Sequence, residues 1–440
     1  VLYLPPNGRG DRVLFRHIKG AVLCLLACLV FGGCAGERSP DQGRVTIVFK
    51  HGRIAGDPAP FHRVIERFEE LNPDIRVKDE VLPASTDEQH QFYIINLEGK
   101  SSDFDVLSMD VIWVPEFARA GWLRDLGHIL PPEERGKFFK GPIEAVTYNG
   151  KLFAIPWYID AGLLYYRKDL LTKYGFPPPK TWYELVHIAS VIIQAEPGLY
   201  GFLWQGKQYE GLVCNALEYI WSNGGDIVRD SRVVIDSPQN RQALSFMRDL
   251  IYKYRVTPEF VNTSIEEPTR RIFGRGKAVF MRNWPYAWHL FEREGSPVKG
   301  KVGVSILPAF PGHRSASTLG GWQLGINRYS RHPEEAERFV KFLTSYEVQK
   351  ALALSIGYMP TRKALYRDGD LTEARPFIAS LYEVFEHARP RPVTPYYMMI
   401  SQVLQPEFSA ILSGIKGPEE ALRSAKKRIE FILRVEVEGL

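Results

Sequence analysis

From residue 44 onward, short apolar runs alternate with stretches of helical periodicity. "VTIVF" (45–49) is a continuous apolar run of strand length. "FHRVIERFEEL" follows, with Val64, Ile65, Phe68 and Leu71 at helical spacing. "NPDIRVKDEV" predicts a turn and a second strand, with Ile75, Val77 and Val81 on alternating positions. A helix over 91–97 and the strand "FDVLSM" complete a β-α-β-α-β order, which predicts parallel strands with flanking helices. A second set begins at "AGLLYY", a strand that runs into a helix ended by Gly175. "TWYE" (181–184) and "SIEE" (264–267) read as capping boxes. "SPQN" offers Ser237 as N-cap with Pro238 in the first turn. Helices are expected over 209–222 and 238–254, and a final amphipathic helix from "GPEEAL". No flexible linker interrupts this body. A body of about 400 residues divides into domains, so the domains are expected to be joined by several crossings that act as a hinge.

The first 44 residues differ in kind. Arg9, Arg12, Arg16 and Lys19 precede "GAVLCLLACLVFGGC", and no charge falls from 20 to 35. Basic, apolar, then small residues is the layout of a signal peptide. "FGGC" resembles a bacterial lipobox that would lipidate Cys34, although Phe31 is an unusual occupant of its position. "AGERSPDQG" reads as a polar tether. Of the four cysteines, Cys24 and Cys28 lie in the segment expected to be removed and Cys34 is the candidate anchor. Cys214 is then left alone in the body, with no internal disulfide or cysteine metal cluster expected. The expectation is an exported protein, periplasmic or on the cell surface, held to a membrane by lipid.

Composition narrows the chemistry. The 440 residues are 45% hydrophobic and 24% charged, with a net charge of +5. This is globular composition, with no basic stripe of the kind that binds nucleic acid. Phosphate-loop, dinucleotide, zinc-protease and nucleophile-elbow motifs are all missing. The ten histidines never fall four residues apart. No metal, cofactor or catalytic residue is therefore expected, and a partner must supply the energy for any active process.

What recurs is an aromatic residue beside a polar one where the chain turns. "MDVIW" places Asp110 at a strand end with Trp113 one turn later. "PWYIDAG" groups Trp157, Tyr158 and Asp160, and "GFLWQGKQYEGL" carries Trp204 and Tyr209. "RNWPYAW" and "LGGWQLG" follow, and "RPRPVTPYY" presents Arg389, Arg391, Tyr396 and Tyr397 in a proline-stiffened loop. A sugar ring offers apolar C–H faces and a rim of hydroxyls. Aromatic rings cover the faces, carboxylates and arginines hold the hydroxyls, and glycines let backbone approach. Each residue also has a plain structural role open to it. Trp182, Trp221 and Trp288 read as core, and Asp110 could cap the helix that follows it. In "RNWPYAW", Pro285 sets the turn into a short helix, Trp288 is expected to pack inward, and Arg282 has no assigned role.

The segments "KSSDFDVLSMDVIWVPEFARAGWL", "PWYIDAGLLYYRKDLL", "WQGKQYEGLVCN", "RNWPYAW", "SPVKGKVGV" and "TLGGWQLGI", in this order, resemble the family 1 extracellular solute-binding proteins, on their trehalose/maltose branch. The resemblance runs from Val45 to the C-terminus. It implies an α/β, periplasmic-binding-protein type II-like fold: two lobes with mixed sheets, three hinge crossings and an interlobe ligand cleft. The lobes would be 45–158 plus 320–345 and 159–319 plus 346–440, after a signal peptide at 1–34 and a tether at 35–44. It implies a monomer that captures a disaccharide and delivers it to the permease of an ABC importer with a separate ATPase. It implies ligand contacts from Asp57, which keeps the role of a family glutamate, and from Asp110, Tyr158, Asp160, Trp284, Tyr286, Gly320, Gly321, Trp322 and Arg391; His90, and Trp204 from its loop, are further candidates. Two positions depart from the family pattern: Asp57 stands where a sugar-binding glutamate is usual, and His90 where an arginine is usual. The latter replaces a permanent cation and forked donor. Two rival readings stand beside it: the same fold binding a different oligosaccharide or a glycoside, and a secreted glycoside-processing enzyme using Asp57, Asp110 and Asp160 as acid and base.

Overall fold

The computed structural model describes residues 43–229 and 232–438. The expected signal peptide, most of the tether and Cys34 lie outside the described residues.

A five-stranded sheet carries, in spatial order, Ile75–Val81, Val45–His51, Val106–Asp110, Leu319–Ile326 and Ile155–Ala161. Val45–His51 pairs in parallel with both its neighbours, as the β-α-β-α-β pattern requires. Leu319–Ile326 enters from distant sequence and runs antiparallel to both of its neighbours, which makes the sheet mixed. The Ala59–Leu71 helix covers this sheet with Phe61, Ile65 and Phe68, whereas Leu71, expected on the same face, is 55% exposed at the helix end. A second, four-stranded sheet has the order Val302–Ser305, Leu163–Arg167, Ala278–Asn283, Tyr200–Leu203 and is also mixed.

Local signals set most helix starts. The Thr181 hydroxyl accepts the Glu184 N–H at 3.1 Å, and the Glu184 carboxylate accepts back from Thr181 N–H, closing a capping box. Ser237 accepts from Asn240 N–H at 3.2 Å. The expected box at "SIEE" does not form. Ser264 donates to the Phe260 carbonyl instead, and the helix Glu266–Gly274 starts without a side-chain cap. Its first two glutamates are thereby free for other partners.

Each sheet has its own hydrophobic core. Ile47, Phe49, Val106 and Trp157 belong to the first, and Tyr165, Phe202, Trp204 and Phe280 to the second. Val348, Leu352 and Ile356 also pack in the first core, whereas Met359 and Leu365 lie in the second. The chain therefore passes between lobes at Gly162, again between Ser305 and Leu319, and a third time beyond the helix Tyr346–Ser355. Gly162 is required at its crossing, since a Cβ there would lie 1.9 Å from Glu218 Oε1. All twelve residues of the helix Glu210–Trp221 are buried, including Glu210 and Glu218. Each of these carboxylates is compensated by an arginine from distant sequence, Glu210 by Arg391 and Glu218 by Arg282.

Candidate functional site

Strand register assembles one wall of the site. Along Ile155–Ala161 only Tyr158 and Asp160 are half-open, and residues two apart share a sheet face. Along Leu319–Ile326 only Trp322 is half-open. Trp322 pairs with Asp110 on one side and Tyr158 on the other, and Gly320 pairs with Asp160. Asp110, Trp322 and Tyr158 thus form a row across three strands, with Asp160 beside it. Packing holds the rings of this row. Trp322 meets buried Trp113 edge-on at 5.7 Å, and Tyr158 stacks on Tyr358 at 3.9 Å. Gly321 has φ +113°, and a Cβ would come within 2.4 Å of the Tyr158 carbonyl, so the row closes only around glycine.

The second lobe supplies the opposite wall. Trp284 leaves the end of Ala278–Asn283, with Asn283 Oδ1 accepting its N–H at 2.8 Å and Tyr165 donating to its carbonyl at 2.7 Å. The indole Nε1–H reaches Glu266 at 3.3 Å, and the Tyr286 hydroxyl donates to Glu267 at 3.0 Å. A Cβ at Gly320 would sit 3.1 Å from Trp284 Cζ3, so the indole occupies the room that the glycine leaves.

Arg391 joins the two walls. It is 3% exposed and donates from Nη1 to Glu210 at 2.8 Å and from Nη2 to Asp110 at 3.0 Å. Glu210 also accepts from Tyr397 at 2.6 Å and from Ser401. Burial pushes the Glu210 carboxyl up, opposed by Arg391. Two further contacts cross the cleft: Gln405 donates to Asp87 at 3.3 Å, and the Arg119 guanidinium lies 4.5 Å from the Tyr396 ring centre.

Asp160 is the unusual carboxylate. It makes no hydrogen bond to any described residue. Burial, with the like charge of Asp110 next and Arg282 opposing, raises its pKa from 3.8 to about 7. An acceptor held without a protein partner in a half-open crevice is ready to receive a ligand hydroxyl.

Asp110, Tyr158, Asp160, Trp284, Gly320, Gly321, Trp322 and Arg391 converge, and Tyr286 adjoins them through the paired glutamates. Asp57 is exposed and accepts the Ala59 N–H at 3.0 Å near the start of its helix. Its neighbour Gly56 abuts Arg293 and Leu290 of the other lobe, which places this loop at the rim. His90 is buried one layer back, bonded to Glu116 at 2.7 Å and stacked on Phe117. Trp204 is not in the site. It is fully buried in the second core, with its indole N–H on Thr257. Trp182 and Trp221 are buried as expected, and half-buried Trp288 packs on Phe377 at 4.6 Å. Arg389 serves structure, paired with Asp226 at 2.9 Å and lying over Trp221.

Sequence reasoning missed Tyr358, Glu210, Glu266 and Glu267. Tyr358 follows Gly357 as Trp322 follows Gly321, but in "IGYMP" it lacks the polar neighbour that marked the other segments. The glutamates carried a signal for helix starts only. Among the described residues no group of three His, Cys, Asp or Glu side chains could hold a metal ion, and no helix is long and apolar enough to cross a membrane.

Residues 52–350 match the family of bacterial extracellular solute-binding proteins. A probable ABC transporter-binding protein of Deinococcus radiodurans is 40% identical over 361 residues, covering 80% of this chain and 85% of the relative. Maltose-bound MalE3 of T. maritima is 48% identical with a TM-score of 0.85, covering 88% of this chain and 100% of that one. A solute-binding protein of Thermotoga lettingae bound with α-D-tagatose is 29% identical with a TM-score of 0.80, covering 89% and 99%. With its two-lobe, mixed-sheet fold and a polar-aromatic cleft between the lobes, the chain belongs to the bacterial extracellular solute-binding proteins.

Proposed function

We propose that this protein captures a disaccharide such as maltose or trehalose in the interlobe cleft and delivers it to the permease of an ABC importer, without turning it over. The observation that carries this reading is the convergence, from both lobes, of two half-open tryptophans (Trp284 and Trp322) with Asp110, Asp160 and Arg391. Rings cover the apolar faces of a pyranose, and the charged groups take its hydroxyls. The similarity to maltose-bound MalE3 supports a disaccharide, and the tagatose-bound relative makes a smaller sugar the natural competitor. A ligand touching both walls binds the closed arrangement better than the open one, so it shifts the population toward closure. Closure would be what the permease reads. Calorimetric titration with maltose, trehalose, sucrose, maltotriose and tagatose tests the reading. A dissociation constant near ~1 µM, about −8 kcal/mol, is expected for the preferred sugar. Hydrolysis of any of them, or silence toward all of them, rejects it.

Asp160 makes this binding pH-dependent. A ligand hydroxyl donated to the carboxylate favours its charged form, so binding releases a proton while the free site titrates near 7. Affinity is expected to rise from pH 6 to pH 8, and Asp160→Asn is expected to flatten the profile. For the unliganded fold the sign is opposite. A raised carboxyl pKa makes the native state bind more protons than the unfolded one between 3.8 and about 7. Stability relative to Asp160→Asn therefore declines as pH rises through that window. Parallel affinity profiles for the two proteins would remove Asp160 from the ligand's contacts.

We further propose that Cys34 carries a lipid that holds the protein at the membrane. The expected result is that Cys34→Ser moves the protein from the membrane fraction to the soluble exported fraction. Unchanged membrane association of this variant would refute the anchor.

A further inference from the structure

Arg282 opens the "RNWPYAW" segment and is only 1% exposed. Its guanidinium is held at three points. Nε and Nη2 donate to Glu218 at 2.9 and 2.5 Å, and Nη1 donates to Gln205 at 3.3 Å. Gln205 in turn donates to the Arg282 carbonyl at 3.0 Å, fixing side chain and backbone together. The Cζ of this anchored cation lies over the Trp284 ring, 3.9 Å from its centre. Glu218 also touches both nearby crossings between the lobes. It accepts the Thr318 N–H at 3.2 Å, and Gly162 lies so close to it that no Cβ fits between them.

We propose that Arg282 is a positioning residue for the ligand: paired with Glu218, it sets the Trp284 indole as a platform and ties that platform to the hinge backbone. This rests on the reading of the cleft as a sugar site. Stability alone gives little reason for such a pair, because a buried ion pair is often no better than apolar side chains of the same volume. A planar cation on a rigid two-point anchor does what an apolar residue cannot, since it holds an aromatic ring by its face. The guanidinium covers one face of the indole, Glu266 takes Nε1–H, and Gly320 admits the ring edge. The ring orientation is thereby over-determined, and the part left half-open faces the ligand. Because Glu218 also contacts Gly162 and Thr318, a shift of the hinge and a shift of the platform share one joint.

The test is calorimetric titration of the full-length protein with maltose, trehalose and tagatose, alongside thermal melting and near-ultraviolet circular dichroism. Arg282→Met/Glu218→Gln removes both charges and keeps an acceptor for Thr318. It is expected to melt within a few degrees of the parent, to change the tryptophan dichroism, and to bind the preferred sugar roughly tenfold more weakly. Arg282→Lys keeps the charge pair but loses the plane. It guards against a double variant that fails to fold, and is expected to show a smaller loss in the same direction with altered dichroism. Parental affinity in the folded double variant, or parental affinity and dichroism in Arg282→Lys, overturns the inference while leaving the sugar reading intact. If the unaltered protein binds none of the three sugars, the sugar reading falls and the inference falls with it.

Discussion

Arg391→Ala is expected to abolish sugar binding at micromolar protein and to destabilise the fold at once. The reason lies in what the guanidinium touches. It is buried between Glu210 of one lobe and Asp110 of the other, at 2.8 and 3.0 Å. Removing it leaves Glu210 sealed with only the hydroxyls of Tyr397 and Ser401. A buried carboxylate stripped of its cation costs about 3–5 kcal/mol, far more than a surface pair would. Asp110 meanwhile loses the donor that orients it toward the cleft. Loss of binding of roughly a hundredfold corresponds to about 3 kcal/mol, within reach of one desolvated charge pair. Scanning calorimetry and titration measure the two effects separately. Arg391→Met/Glu210→Gln is expected to recover much of the melting temperature but not the binding. If Arg391→Ala melts like the parent and binds within threefold of it, the guanidinium joins neither the lobes nor the ligand.

Trp322→Ala is expected to separate binding from stability. Trp322 is half-open at the centre of the row formed by Asp110 and Tyr158, with buried Trp113 edge-on behind it. Its truncation removes a ring face from the ligand, and anchors of this type contribute about 2 kcal/mol or more to binding, roughly thirtyfold. The fold gives up less, because much of that ring already meets the cleft. Trp113→Ala is the control. Trp113 is 1% exposed, so the cavity left behind is expected to cost about 3–5 kcal/mol of stability. Trp322→Phe should restore most of the affinity by returning an apolar face. Parental affinity in Trp322→Ala would show that the ring is not a platform for the sugar.

Much of the fold was legible because local chemistry determines it. Thr181 with Glu184, and Ser237 with Asn240, mark helix starts by side-chain hydrogen bonds within one turn, and the structure keeps both. The parallel half of the first sheet follows from strands alternating with helices. The "SIEE" reading failed because a capping box requires the helix to start after Ser264, and Ser264 turns back to Phe260 instead. Glu266 and Glu267 are then available to the indole and phenol of the site, a use that no spacing rule contains.

Trp204 and Trp322 mark where local sequence stops being informative. Both precede glutamine and both have glycine close by, in "LWQG" and "GGWQLG". Trp204 is sealed in the second core and Trp322 is half-open on the cleft wall. Side-chain burial depends on what packs against a residue from distant sequence, so similar short contexts can have opposite fates. By itself the sequence determined most element types, the caps at Thr181 and Ser237, and the family pattern in the aromatic-and-polar segments, although Trp157, Tyr158, Asp160 and Trp322, expected at chain turns, lie within strands. The tertiary structure alone decided which of those residues meet. It inserted Leu319–Ile326 antiparallel between Val106–Asp110 and Ile155–Ala161, lining Trp322 up with Asp110 and Tyr158. It also brought Arg391 onto Glu210 and Asp110, and Glu218 onto Arg282 under Trp284. Buried charges must find partners wherever the packed lobes place them, and that placement depends on contacts between residues far apart along the chain.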